Sequence, residues 1–173
     1  MKSLNGILTK SPSRSLLAGV VFMAMVATQP MAETVLTITG DVAETADGAK
    51  WQLDENALRA LPMTMLETDT IWTEGLQTFE GVSLAALLAH VGAGKGELRA
   101  TAVNDYTVSI PTSDAVKGGP IVAYLRNGEK MSLRDKGPLW IVYPFAENAS
   151  YQTEEYYSRS IWQLDRIEVV ADE

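Results

Sequence analysis

The sequence predicts an α+β domain, a mixed β-sheet with short helices. Three observations carry this. Short apolar stretches of strand period recur from Val35 to Val170. Only two segments read as helices, Glu55 to Leu61 and Leu84 to Val91. Strands and helices do not alternate, so there is no βαβ rhythm, and no internal repeat is present. A length of 173 residues suggests one domain.

The elements follow in order. Val35-Leu36-Thr37-Ile38-Thr39 alternates apolar and polar and reads as a strand ending at Gly40. Trp51-Gln52-Leu53 is a short strand, and Asp54 is a suitable N-cap for the helix that Pro62 stops. Met63 to Trp72 reads as a strand, Thr73-Glu74-Gly75 as a turn, and Leu76 to Phe79 as the return strand. Ser83 caps the clearest helix. Leu84, Leu87, Leu88 and Val91 fall at i, i+3, i+4 and i+7, and Gly92 suits a left-handed C-terminal residue.

Leu98 to Asn104 and Tyr106 to Ile110 form a hairpin across Asn104-Asp105. Thr112 or Ser113 would cap a single helical turn. Ile121 to Arg126 pairs with Glu129 to Leu133 through Asn127-Gly128, a type I′ turn signal. Leu139 to Tyr143 lies between two prolines and reads as a buried strand. Ala146 to Arg159 reads as a polar, tyrosine-rich loop, and Ile161 to Val170 as the closing strand.

Composition excludes several chemistries. The chain has no Cys and one His. It therefore has no disulfide framework, thiolate zinc site, iron–sulfur cluster, cysteine nucleophile or multi-histidine metal centre. The 22 acidic residues outweigh 14 basic ones, which argues against nucleic acid, where Lys and Arg must neutralise phosphates.

Residues 1–32 read as a secretory signal peptide. Lys2, Lys10 and Arg14 precede the 12-residue apolar run Leu16 to Ala27, and no acid occurs before Glu33. A bilayer span needs about 20 residues. Cleavage after Ala32 would leave residues 33–173 as the exported domain, periplasmic or secreted. Removing three of the 14 basic residues leaves 11 against 22 acids, a net charge of −11.

Five stretches carry a family resemblance. They are Phe79-Glu80-Gly81-Val82-Ser83-Leu84 with Leu87-Leu88, Asn104-Asp105-Tyr106 with Ser109-Ile110-Pro111, and Tyr124 to Gly128. The others are Lys136-Gly137-Pro138-Leu139 with Val142-Tyr143-Pro144, and Ser160-Ile161-Trp162 with Leu164 and Ile167-Glu168-Val169. Their order resembles the molybdopterin-binding domain of the sulfite oxidase family in a short secreted form, over roughly Val35 to Val170. The resemblance implies the sulfite-oxidase type of α+β fold. In active members that fold holds molybdenum through a pterin dithiolene and one cysteine.

Two departures matter. The stretch matching that cysteine is Thr68-Asp69-Thr70. A hydroxyl is a poor substitute for a soft thiolate, and a carboxylate is a hard ligand. Active members often carry a basic residue in a Val-Lys-Trp run. Here the run is Ile161-Trp162-Gln163, with Trp at the basic position. Arg159, a few residues earlier, would point elsewhere on a strand. No cofactor is expected, and molybdopterin enters only under the alternative of a periplasmic oxidoreductase lacking a cysteine ligand.

No catalytic residue, cofactor ligand or metal ligand is assigned. His90 reads as a helix-end residue near the carbonyl dipole. Gly81-Val82-Ser83 is a helix start rather than a nucleophile elbow. Glu154-Glu155 would face opposite ways on a strand, while Glu67 and Asp69 would share a face if residues 63–72 are one strand.

The candidate ligand-binding residues are Trp72, Asn104, Asp105, Tyr106, Lys136, Tyr156 and Arg159. In the family the hairpin that holds Asn104-Asp105-Tyr106 borders the cleft. The tyrosine segment either forms a contact surface or packs its rings back on the sheet. The expected role is non-catalytic binding of a small molecule, or of a periplasmic or membrane sensor partner, through the family cleft or the tyrosine segment.

Overall fold

A computed structural model describes residues 33–172; the predicted signal segment lies outside the described residues. Two sheets form the frame. In the first, β1 (Thr34–Gly40), β2 (Lys50–Asp54), β5 (Gly96–Ala102), β6 (Thr107–Pro111) and β10 (Leu164–Ala171) run in the order β2-β1-β10-β5-β6. The β1–β10 pair is parallel and the others antiparallel.

The second sheet contains β3 (Met63–Thr68), β4 (Gln77–Ser83), β7 (Ile121–Arg126) and β8 (Glu129–Lys130), in that order. The strand β9 (Trp140–Val142) also pairs with β7. Among the described residues, three short helices complete the fold: α1 (Glu55–Ala60), α2 (Leu84–His90) and α3 (Glu154–Arg159).

Strand alternation explains how the core divides. Successive side chains of β7 point to opposite faces. Val122 and Tyr124 enter a large cluster with Leu36, Ile38, Leu98 and Ile167 of the first sheet. Ile121 and Ala123 enter a second cluster with Leu66, Phe79, Trp140 and Val142. The central strand of the second sheet is therefore covered on both faces. Trp72 and Trp162 are half-buried against the second cluster. The apolar stripe of α2 buries Leu84, Leu87 and Leu88 in the first.

Local chemistry sets several boundaries. Asp54 accepts from the Ala57 amide and Ser83 from the Ala86 amide, as caps should. Asn127 and Gly128 have φ of 54° and 77°, the type I′ geometry.

Other expectations need correction. The strand from Met63 stops at Thr68, because the Thr70 and Thr73 hydroxyls hydrogen-bond at 2.9 Å and close a turn that contains Trp72. Glu67 and Asp69 are therefore not on one strand face. The partner strand after Asn127-Gly128 ends at Lys130, and Leu133–Asp135 is a 3₁₀ turn capped by Ser132. The single turn Thr112–Asp114 has no side-chain cap; the Thr112 hydroxyl instead accepts from the Gly96 amide at 2.9 Å. The segment from Ala146 to Arg159 is no continuous loop. It holds a 3₁₀ turn, Ala149–Tyr151, and the helix α3. The closing strand begins at Leu164 rather than Ile161.

Candidate functional site: an aromatic cavity

The residues between α3 and β10 form the floor of a cavity. This segment runs beside β9. The Ile141 amide donates to the Ile161 carbonyl at 2.9 Å, and the Leu164 amide donates to the Leu139 carbonyl at 3.0 Å. The Ser160 hydroxyl donates to the Ile141 carbonyl at 2.6 Å, and the Trp140 indole donates to the Ser160 carbonyl at 3.1 Å. Buried polar groups are thus paired, and Ile161 and Trp162 are held in a fixed frame.

Above this floor lies a cavity of about 450 Å³. That is within the range of about 300–1,000 Å³ usual for small-molecule sites. Trp72 forms one wall, Asn104 and Tyr106 come from the hairpin, and Tyr157 and Glu154 come from α3. Trp162 lies on the floor. The Trp72 ring is 5.2 Å from Trp162 and 5.9 Å from Tyr157, centroid to centroid, both edge-on. Such geometry suits the ring quadrupoles.

The turn that presents Trp72 is built by threonines. The Trp72 amide donates to the Thr70 hydroxyl at 3.2 Å, and Thr70 pairs with Thr73. Thr68 is fully buried; its hydroxyl accepts from the Ala146 amide at 2.9 Å and donates to the Asp69 carbonyl at 3.1 Å. Across the cavity, Asp105 takes a left-handed φ of 67°, and the Asn104 side-chain oxygen accepts from the Tyr106 amide at 3.2 Å. This leaves the Tyr106 ring 57% exposed.

The seven candidate residues separate into groups. Trp72, Asn104 and Tyr106 line the cavity. Asp105 does not; its carboxylate pairs with Arg166, which lines a different groove with Arg99. Lys136 lies outside the lining, with its ammonium 4.7 Å over Trp162 and 5.7 Å over Trp140.

Tyr156 turns inward, 5.2 Å from Tyr143 and 4.8 Å from Tyr151. Arg159 covers Tyr156 at 5.1 Å and binds Asp114 at 3.0 Å and Glu155 at 2.5 Å. Asp114 also accepts from the buried Tyr143 hydroxyl at 2.8 Å. Tyr156 and Arg159 therefore anchor α3 instead of facing the cavity. Burial first, then the Asp114 carboxylate, hold the Tyr143 hydroxyl protonated far above the ordinary phenol range.

The sequence reading missed Glu154, Tyr157 and Trp162 as lining residues. A helical reading of residues 154–159 would have found two of them. Glu154, Tyr157 and Ser158 stand at i, i+3 and i+4 on one helix face and all reach the cavity, while Tyr156 and Arg159 share another face.

The model for the oxidoreductase molybdopterin binding domain matches residues 59–172. This chain belongs to that family. The crystal structure of the sulfane dehydrogenase SoxCD from Paracoccus pantotrophus is similar, with a TM-score of 0.57 and 20% identity. The match covers 79% of this chain and 38% of that one, so the chain spans well under half the length of that neighbour. The likeness at this identity is one of fold. No curated protein matches the sequence.

The full sequence has no thiolate to offer a soft metal. The hydroxyls of Thr68 and Thr70 are engaged in the loop bonds described above. The cavity lining contains one carboxylate, Glu154, and neither Lys nor Arg to meet a phosphate. These residues do not fit a molybdenum–pterin group.

Proposed function

We propose that this chain is an exported, non-catalytic member of the molybdopterin-binding oxidoreductase family that holds a small organic molecule in the aromatic cavity. The observation that carries the reading is the lining itself. Trp72, Trp162, Tyr106 and Tyr157 offer large, rigid apolar faces, and a few polar groups among them can orient a ligand. The one imidazole of the chain, His90, packs against Trp51 and is absent from this lining. Glu154 is exposed at the start of α3.

Binding by such a site follows from elementary terms. A flat or compact apolar body displaces water from four ring surfaces, and each ring adds dispersion attraction. The fixed floor keeps the rings in place before the ligand arrives, which lowers the entropy cost of capture. Export would place this capture in the periplasm, with a membrane sensor as a receiver of the loaded form. The inward packing of Tyr156 withdraws that ring from the surface, while Tyr157 of the same segment joins the cavity lining.

Molybdenum content decides between this reading and redox catalysis without a cysteine ligand. Protein purified from a molybdenum-competent periplasm is expected to hold far less than one metal per chain. A one-to-one content with a pterin absorbance band overturns the reading.

A further inference from the structure

We propose that the occupant of the aromatic cavity is an organic cation, of the quaternary or alkylated ammonium class. This rests on the binding function proposed above and names its ligand chemistry. The first support is the arrangement of rings. Trp72, Trp162, Tyr106 and Tyr157 bound one space, and the negative face of an aromatic ring attracts a cation within about 6 Å. Recognition of quaternary ammonium groups by aromatic cages uses the same physics, since such a group offers no hydrogen-bond donor and relies on ring faces.

The second support is the sign of the charges. Glu154 is the one charged side chain in the lining. A second carboxylate, Asp69, lines a smaller depression that shares Tyr157 with the cavity. The rest of the surface adds to this, with a net charge of −11 predicted for residues 33–173. Such a field raises the local concentration of cations and repels anions.

Lys136 bears on the sign of the ligand rather than adding to its attraction. Its ammonium rests over the same ring cluster, 4.7 Å from the Trp162 centroid, and no carboxylate pairs with it among the described residues. The indole faces here already hold a positive group. Lys136 also makes the sign of the ligand testable. An anionic occupant would need this ammonium, because no lining residue is basic. A cationic occupant would gain from its removal.

The experiment compares choline with 3,3-dimethylbutan-1-ol, its neutral isostere, by calorimetry and tryptophan fluorescence on the intact protein. Choline is expected to bind about tenfold tighter than the alcohol. Glu154→Gln should weaken choline several-fold and leave the alcohol unchanged. Lys136→Met should leave choline binding equal or tighter. Three results overturn the cation assignment: an alcohol that binds as well as choline, benzoate that binds and loses affinity in Lys136→Met, or no choline binding at all. The first two leave the non-catalytic reading standing, and that reading is decided separately by the molybdenum content.

Discussion

At the scale of single residues, the most buried ion pair among the described residues, Arg159 with Asp114, anchors α3. The Tyr143 hydroxyl and the Arg159 guanidinium both donate to Oδ2 of Asp114, at 2.8 and 3.0 Å. Tyr143 is fully buried, so its hydroxyl must keep its proton and its partner. In the unfolded chain a tyrosine ionises near about pH 10. The folded chain holds that proton to higher pH, because burial and Asp114 disfavour the phenolate. The unfolded state therefore loses its proton first. The stabilisation is complete below about pH 10 and declines as pH rises beyond it. Tyr143→Phe should cost about 1–2 kcal/mol at neutral pH, since Asp114 loses one donor and retains Arg159. It should also flatten the alkaline limb of a plot of urea midpoint against pH. Some slope should persist, because burial and Tyr156 raise Tyr151 as well. An alkaline limb as steep as that of the natural protein would show that Tyr143 is not the group responsible.

At the scale of elements, legibility followed the source of stability. The helix α2 has an apolar stripe and a serine cap, and the Asn127-Gly128 turn needs two positive φ angles. Both features are local, so the sequence alone displays them. The helix α3 has the sequence EEYYSR and buries none of its residues fully. It is held by the Arg159–Asp114 pair and by the tilted contact of Tyr156 with Tyr143. Those partners lie far away in sequence, so no window of composition reveals the helix. The end of β3 was hidden for a different, local reason: a hydroxyl pair at Thr70 and Thr73 overrides strand-like residues. Gly81 on β4 shows a non-local demand that does surface as a single residue type. A Cβ there would meet the Val122 carbonyl oxygen at 2.2 Å and the Ala123 Cα at 2.7 Å, both backbone atoms of β7. Gly81→Ala must push two paired strands apart, and is expected to cost about 3 kcal/mol or more in urea unfolding. Stability within about 0.5 kcal/mol of the natural protein would mean that β4 and β7 shift freely, contrary to their packing between two clusters.

At the scale of the whole molecule, the site exists only because the two sheets share a core. Trp72 follows β3 of the second sheet, whereas Tyr106 sits in a hairpin of the first. The segment Ser160–Gln163 crosses from α3 to β10 along β9 and joins the two. The strands were legible one by one, but the cavity was not, because three separate stretches of chain meet there and no spacing in the sequence encodes their approach. This interdependence predicts how the molecule unfolds. The large cluster takes side chains from both sheets, Leu36 and Ile167 from one and Val122 and Ile141 from the other. Neither sheet can open without exposing the apolar face of its partner, so unfolding should be a single cooperative step. Tryptophan fluorescence offers a reporter confined to one side. Trp72, Trp140 and Trp162 belong to the second cluster, and Trp51 lies on β2 of the first sheet. In a Trp51→Phe variant, emission follows the second cluster alone, while far-UV circular dichroism follows strands of both sheets. The two urea transitions are expected to coincide in midpoint and slope. An emission change that precedes the loss of circular dichroism would show that the second sheet and its cavity open on their own, and that the shared cluster does not bind the sheets into one unit.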